Sequence, residues 1–383
     1  MATFNGTSHS DGLVGTAEND VMRGFADDDA LLGLGADDIL DGGSGDDSLF
    51  GGEGQDYYIG GRGLDAIAYG GTAGAINVDL RLQNRAQDTG GDGVEWLSSI
   101  EGVTGGSFDD LLNGNNKSNV LGGGEGDDLL TGRGGGDVLE PGQDFQGSPF
   151  GDDTADGGAG RDAVVIRAGT LPVTCSLLIQ GTAQDTGVGT VVLIDVEDLF
   201  GGDVADTLIG SAGNNILGGG WNGDLMQGGD GADMLWGAGG PSGFRLQVDG
   251  GSQFDGDDTL EGGEGADTLV GSVGSDRLVG GKASDWFVFI PADVSIYNAG
   301  DIDLIVALEA KDWIDLSGVD ADAALAGDQA FTVVSAPGPT AGQVRIWFDG
   351  VDTWWEMNTD ADADLEAIIK TAGDHTGHGN LVL

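Results

Sequence analysis

The sequence predicts an all-β fold, a right-handed parallel β-roll that ends in a β-rich capping domain. Three observations predict it. Residues 15–68 divide into consecutive nine-residue units, GTAENDVMR, GFADDDALL, GLGADDILD, GGSGDDSLF, GGEGQDYYI and GGRGLDAIA. Each unit opens on Gly, has Asp sixth and a large apolar residue eighth. From Trp286 onward glycine thins and aromatic and β-branched residues rise, as in ordinary strands.

The spacing has a chemical reading. Glycine admits positive φ and lets carbonyls turn toward a common point. Asp adds one hard carboxylate oxygen per unit. Calcium takes six to eight oxygens, so one Asp cannot complete a shell, and two units must cooperate with carbonyls filling the rest. The apolar residues Met22, Leu31, Leu40, Leu49, Tyr58 and Ile67 sit on short extended runs and point inward. Two units, eighteen residues, then make one turn of a flat coil with a metal loop on each edge. One apolar side chain per unit is too little to offset the conformational entropy of ordering it. A site with Kd about 10⁻⁴ M adds roughly 1.4 kcal/mol at about 1 mM calcium and almost nothing at sub-micromolar levels.

The pattern GGxGxDxUx resembles the calcium-binding nonapeptide of the RTX (repeats-in-toxin) family. That resemblance implies ions held between a unit and the next but one on the same edge. Carried over by position, Asp11 pairs with Asp29, Asp20 with Asp38, Asp29 with Asp47, Asp38 with Asp56, and Asp47 with Asp65.

In chain order, residues 1–68 form the first tract, and 69–104 form a β break without an ion. Within the break GAINVDLRLQ alternates and reads as one strand with Ile76, Val78, Leu80 and Leu82 on one side. Residues 105–162 form the second tract, with expected ligands Asp110, Asp128, Asp137, Asp153 and Asp162 and a seven-residue insertion, PGQDFQG. Asn119 stands where Asp is expected and implies a weaker site. Residues 163–200 repeat the break, since Glu197 lies 96 residues after Glu101. Residues 201–288 form the third tract, with Asp206, Asp224, Asp233, Asp258, Asp267, Asp276 and Asp285, Asn215 at one sixth position and Ser242 in an irregular stretch. Residues 289–383 resemble the C-terminal cap of serralysin-type secreted proteins through FVF, IDLS, GDQAF and TAGQVRIWFD in that family's order. The resemblance implies an uncleaved type I secretion signal ending in the apolar NLVL, and hence the type I secretion machinery as a partner. Asn380 stands where that family has an acidic residue before the tail. Asp360, Asp362 and Asp364 echo a DxDxD loop but lack the glycine and final Glu of an EF-hand.

Composition excludes several classes. A formal charge of −52 argues against nucleic acid or anionic membrane as partner. The lone Cys175 allows no internal disulfide and reads as a core residue. MATFNGTSHS is no signal peptide, and no run is long enough to span a bilayer. The three histidines, His9, His375 and His378, form no HExxH, and no GxSxG is present. His375 and His378 in HTGH read as a terminal segment rather than a zinc pair. With repeats from the first ten residues, no upstream catalytic domain is expected.

The leading reading is a secreted, non-enzymatic calcium-binding protein with a structural, surface, adhesive or self-assembling role at the cell surface or in the matrix. The alternative is an accessory module for an extracellular enzyme, aiding secretion or folding or binding polysaccharide. An enzyme site around Trp221, Trp236 and Phe244 is the least favoured, because those residues read as rung fillers and edge packing. The chain is expected to be disordered in chelator and to gain its strand signal in far-UV circular dichroism as calcium reaches millimolar levels. A full strand signal in chelator at neutral pH would refute metal-driven folding.

Overall fold

The computed structural model describes residues 1–91, 93–142, 151–167, 169–239, 256–290, 302–319, 330–335, 341–358 and 367–383. Among them the regular structure is β apart from one short 3-10 turn. No helix among the described residues is long and apolar enough to cross a membrane. The chain forms two compact units, Met1–Leu171 with Ile179–Val196, and Pro172–Leu178 with Glu197–Leu383.

In the first unit, consecutive short strands enter opposite sheets and pair in parallel with the strand eighteen residues on. Asp20–Arg23, Ile39–Ser44 and Tyr57–Arg62 lie in one sheet, and Gly12–Val14, Ala30–Gly35, Ser48–Glu53 and Ala66–Ala68 in the other. Register follows the repeat, with Met22 opposite Leu40, Leu40 opposite Tyr58, and Leu31 opposite Leu49. Strands have period two, so the eighth residue of every unit faces the same interior. Met22, Leu31, Leu40, Leu49, Tyr58 and Ile67 are each at most 1% exposed. The tract from Gly105 repeats this with Leu112, Leu121, Leu130 and Leu139.

The first break joins the same architecture. Gly93–Ser98 pairs in parallel with Tyr57–Arg62, and Gly102–Thr104 continues the sheet of Ala66–Ala68. The expected strand over GAINVDLRLQ is shorter. It covers Asn77–Asp79 and passes into the 3-10 turn Leu80–Leu82, because the Asp79 carboxylate accepts the Arg81 N–H and draws the backbone out of the ladder. Ile76, Val78 and Leu80 are buried as expected, while Leu82 is only half-buried.

The second unit is a roll of the same kind. Thr207–Ile209, Leu225–Asp230, Thr259–Glu264, Arg277–Lys282 and Asp303–Ile305 form one parallel run. Asp198–Phe200, Ile216–Gly218, Met234–Trp236, Thr268–Val270, Trp286–Val288 and Trp313–Asp315 form the other. The chain then changes to antiparallel pairing. Ala367–Ala372 joins Asp303–Ile305 in parallel, and Asp352–Asn358 and Gln343–Phe348 follow as antiparallel neighbours. Trp355 is fully buried beneath this hairpin. Leu381–Val382 pairs with Trp313–Asp315, which covers that strand's outer edge.

Candidate metal centres

The sixth-position carboxylates are buried in series. Of the nineteen Asp expected as ligands, all but Asp11 are at most 3% exposed, and Asp11 is half-buried. Within each tract the later ones offer Oδ1 to the N–H of the sixth residue one rung earlier, while Asp20, Asp110 and Asp206 take the N–H of Ala2, Ile76 and Val173 instead. Asp11 donates to Asp29 at 2.8 Å, Asp20 to Asp38 at 2.7 Å, Asp29 to Asp47 at 2.9 Å, Asp38 to Asp56 at 2.7 Å and Asp47 to Asp65 at 3.0 Å. The same bond crosses the insertions. Asp128 donates to Asp153 and Asp137 to Asp162 over 25 residues, and Asp224 to Asp258 and Asp233 to Asp267 over 34. The ladder therefore joins the described residues on either side of each irregular stretch. Ser242 and most of the PGQDFQG insertion lie outside the described residues.

The ladder also recruits residues that the nine-residue phase does not reveal. Glu95, fully buried, accepts the Asp56 N–H at 2.9 Å, and Glu101 accepts the Asp65 N–H at 3.4 Å. Beyond the last unit, Asp276 donates to Asp303 and Asp285 to Asp312 over 27 residues. A second ladder runs in the opposite sense one position earlier. Asp46 N–H donates to Asp28, Gln55 to Asp37, Leu64 to Asp46, Asp127 to Asp109 and Ser275 to Asp257. The doublets Asp28-Asp29, Asp37-Asp38 and Asp46-Asp47 were its visible signal.

Two kinds of turn differ in what they do with the other oxygen, Oδ2. The opening turns of each tract are closed. Thr16 N–H donates to Asp20 Oδ2 at 2.8 Å, Gly106 to Asp110 at 2.7 Å and Gly202 to Asp206 at 2.8 Å. Later turns are open, with positive φ at the second and fourth positions. Gly43 and Gly45, Gly52 and Gly54, and Gly263 and Gly265 adopt it, as do Phe25 at 82°, Asp27 at 72° and Leu34 at 85°. That conformation redirects the second N–H, so Phe25 donates to the Gly42 carbonyl at 2.9 Å. Oδ2 of Asp29, Asp38, Asp47, Asp65, Asp128, Asp137, Asp153, Asp267 and Asp285 then has no hydrogen-bond partner among the described residues.

The opening glycine of each unit is required by this geometry. A Cβ at Gly24 would stand 2.1 Å from Asp29 Oδ2 and 2.6 Å from the Gly42 carbonyl, and at Gly33 2.3 Å from Asp38 Oδ2 and 2.6 Å from the Gly51 carbonyl. A carboxylate oxygen and a carbonyl of the next rung thus converge at each glycine. No three His, Cys, Asp or Glu side chains converge among the described residues, so carbonyls must supply most of any shell. Such all-oxygen donors fit a hard cation such as calcium.

Burial sets the electrostatics. It pushes the Asp128 carboxyl up to about 8, with Asp153, Asp110 and Asp109 adding repulsion, and Asp137 and Asp153 up to about 7. Burial likewise takes Asp38, Asp65, Asp206, Asp267 and Asp285 to about 6. At Asp20, burial is outweighed by the Thr16 hydroxyl and the N–H groups of Ala2 and Thr16, and the carboxyl titrates below its ordinary value.

Asn119 and Asn215, at the sixth positions of their units, are held by hydrogen bonds through both ends of the amide. Asn119 Oδ1 accepts the Asn115 N–H at 2.7 Å, and its Nδ2 donates to the Glu101 carbonyl at 3.1 Å. Asn215 does the same with Ser211 at 2.7 Å and the Glu197 carbonyl at 2.6 Å. At these joints the preceding rung presents a carbonyl instead of an N–H, and only an amide can answer it.

The remaining candidates sit elsewhere. Cys175 is buried and burial pushes its thiol up to about 12, as for an inert core residue. Trp236 lies at a ninth position and is half-buried on the outer side, because the filler of that rung is Leu235. Trp221 is also half-buried, and Phe244, Asp360, Asp362 and Asp364 lie outside the described residues. The His378 ring meets Trp355 edge-on at 6.3 Å, and His375 Nε2 lies 3.0 Å from the Ala372 carbonyl.

The family model of the RTX calcium-binding nonapeptide repeat matches residues 5–40, 32–67, 104–139, 150–169, 200–235 and 253–287. The chain carries RTX repeats and binds calcium through them. No curated protein matches its sequence. Among solved structures, an R3 subunit of the mannuronan C5-epimerase AlgE6 from Azotobacter vinelandii is 24% identical with a TM-score of 0.24, over 45% of this chain and 80% of that one. The extracellular lipase LipA from Serratia marcescens is 16% identical with a TM-score of 0.20, over 72% of this chain and 40% of that one.

The raised carboxyls fix the pH dependence of the metal-free roll. A group whose folded pKa lies above its unfolded value stabilises the fold below the unfolded pKa and loses that contribution as pH rises through the folded one. In chelator, strand signal should be strongest near pH 4 and fall as pH rises through about 6 to 8, the range set by Asp38 and Asp128. With calcium present the loss should vanish. A chelated protein more structured at pH 8 than at pH 4 would contradict the assignment.

Proposed function

We propose that this is a secreted calcium-binding RTX protein that folds outside the cell on meeting calcium and serves a non-enzymatic structural, surface, adhesive or self-assembling role. The observation that carries the reading is the series of buried Oδ2 atoms left without a protein partner. In the low calcium of a cytoplasm these carboxylates repel one another and oppose folding. In the millimolar calcium outside, the ion supplies the missing partner. The proposed ligands are the sixth-position Asp of the open turns, with the carbonyls of the opening glycines one rung on. Asp11, Asp20, Asp110 and Asp206 contribute less, since N–H groups already hold their second oxygens. The C-terminal strands act as the cap, and the chain end that resembles a type I signal supports export before folding. Light scattering on the full chain tests the structural role, with ordered assemblies expected at millimolar calcium. A protein that stays monomeric under those conditions would count against self-assembly.

A second reading, polysaccharide binding as an accessory module, rests on one surface. On the hairpin of Gln343–Phe348 and Asp352–Asn358, the half-buried Trp347 and Trp354 rings lie nearly parallel, with centroids 6.2 Å apart. Arg345 lies 4.7 Å over Trp347, and Lys370 lies 5.4 Å over Trp354. Flat rings flanked by fixed charges suit the apolar face and hydroxyls of a pyranose. Retention on an immobilised polysaccharide, lost on Trp354→Ala, would support it, and equal elution of both proteins would dismiss it.

A further inference from the structure

We propose that the first break closes an additional calcium site against the last turn of the first tract, built from Asp65, the Ser99 carbonyl and Glu101. The inference rests on the calcium reading of the repeats and extends it to a segment that lacks the nonapeptide.

In an ordinary open turn, the point above the opening glycine is shared by its own Asp Oδ2 and the carbonyl of the opening glycine one rung on. Gly60 opens the last unit of the first tract, and no nonapeptide follows it. A Cβ at Gly60 would nevertheless stand 2.1 Å from the Ser99 carbonyl and 2.5 Å from Asp65 Oδ2. Ser99 therefore places its carbonyl where the missing glycine carbonyl belongs. It does so in the left-handed region, at φ 52°, a conformation that costs a non-glycine residue energy and marks a constrained position. Glu101, two residues on, accepts the Asp65 N–H and so takes the place of the next Asp in the ladder.

The pocket calls for a cation. Asp65 is fully buried, and its Oδ2 has no hydrogen-bond partner among the described residues. Asp47, Glu101 and Asp46 are its charged neighbours, and all three are acidic. A buried carboxylate oxygen and a carbonyl meet at one point, with the Glu101 carboxylate held beside them on the Asp65 N–H, a hard-oxygen set that suits calcium. The arrangement recurs once, 96 residues later, where Asp195 takes the place of Ser99. Asp195 has φ 48°, and its carbonyl lies 2.4 Å from where a Cβ of Gly157 would stand, beside Asp162. A duplicated non-glycine residue in this conformation, aimed at the same point, is accounted for by a ligand there.

The test is an anomalous difference map from crystals of the full chain grown in calcium. A peak among Asp65 Oδ2, the Ser99 carbonyl and Glu101 is expected, with a second beside Gly157. Peaks in the nonapeptide turns with none at Ser99 overturn the proposal, and no peaks anywhere overturn it together with the calcium reading beneath it. In solution, Glu101→Gln keeps the shape of the side chain and removes its charge. With strand signal unchanged at saturating calcium, native mass spectrometry should show one ion fewer, or about a tenfold or greater loss of affinity at one site. Unchanged stoichiometry and affinity in this variant overturn the proposal.

Discussion

The burial of carboxylates, with the repulsion among them added to it, governs this molecule. Side chains such as Asp38, Asp47, Asp128 and Asp267 are withdrawn from water in series, each linked to the next one rung on, as Asp38 to Asp56 and Asp47 to Asp65. One oxygen of each is committed to a backbone N–H, which fixes the carboxylate but does not neutralise it. The apolar interior is one residue wide per unit and cannot overcome this alone. On the proposed function, the fold waits on a positive charge, and calcium at the concentration found outside cells meets the requirement.

The backbone decides where that charge is needed. A turn whose second residue keeps negative φ closes on its own carboxylate through an N–H, as at Thr16. A turn whose second residue is left-handed turns the N–H away and leaves the oxygen for a metal. Phe25, Leu34 and Arg133 hold this conformation without being glycine, so the contacts of the rungs outweigh the local cost. Asp312 shows the closed solution again, its Oδ2 accepting the Glu309 N–H at 2.7 Å.

Much of this was legible in the sequence. The nine-residue period carried the parallel roll, the inward eighth residue and the calcium chemistry, because one backbone geometry recurs with one side-chain pattern. What stayed hidden depends on contacts across gaps of irregular length. Glu95, Glu101, Asp303 and Asp312 join the ladder from 27 to 39 residues away, with no phase to announce them. The difference between closed and open turns was also hidden, since it lies in a dihedral that glycine content only partly reports. Asn119 read as a diluted Asp, whereas the carbonyl opposite makes its amide specific.

The two asparagine joints bear on how such a chain finds its alignment. A run of near-identical units could slip by a whole rung at almost no energetic difference, leaving many misaligned coils close to the correct one. Asn119 donates its amide to the Glu101 carbonyl, and Asn215 to that of Glu197. A slip would set an amide against an N–H. These residues act as index marks on an otherwise uniform ruler, and they leave the repeats free to vary without loss of count.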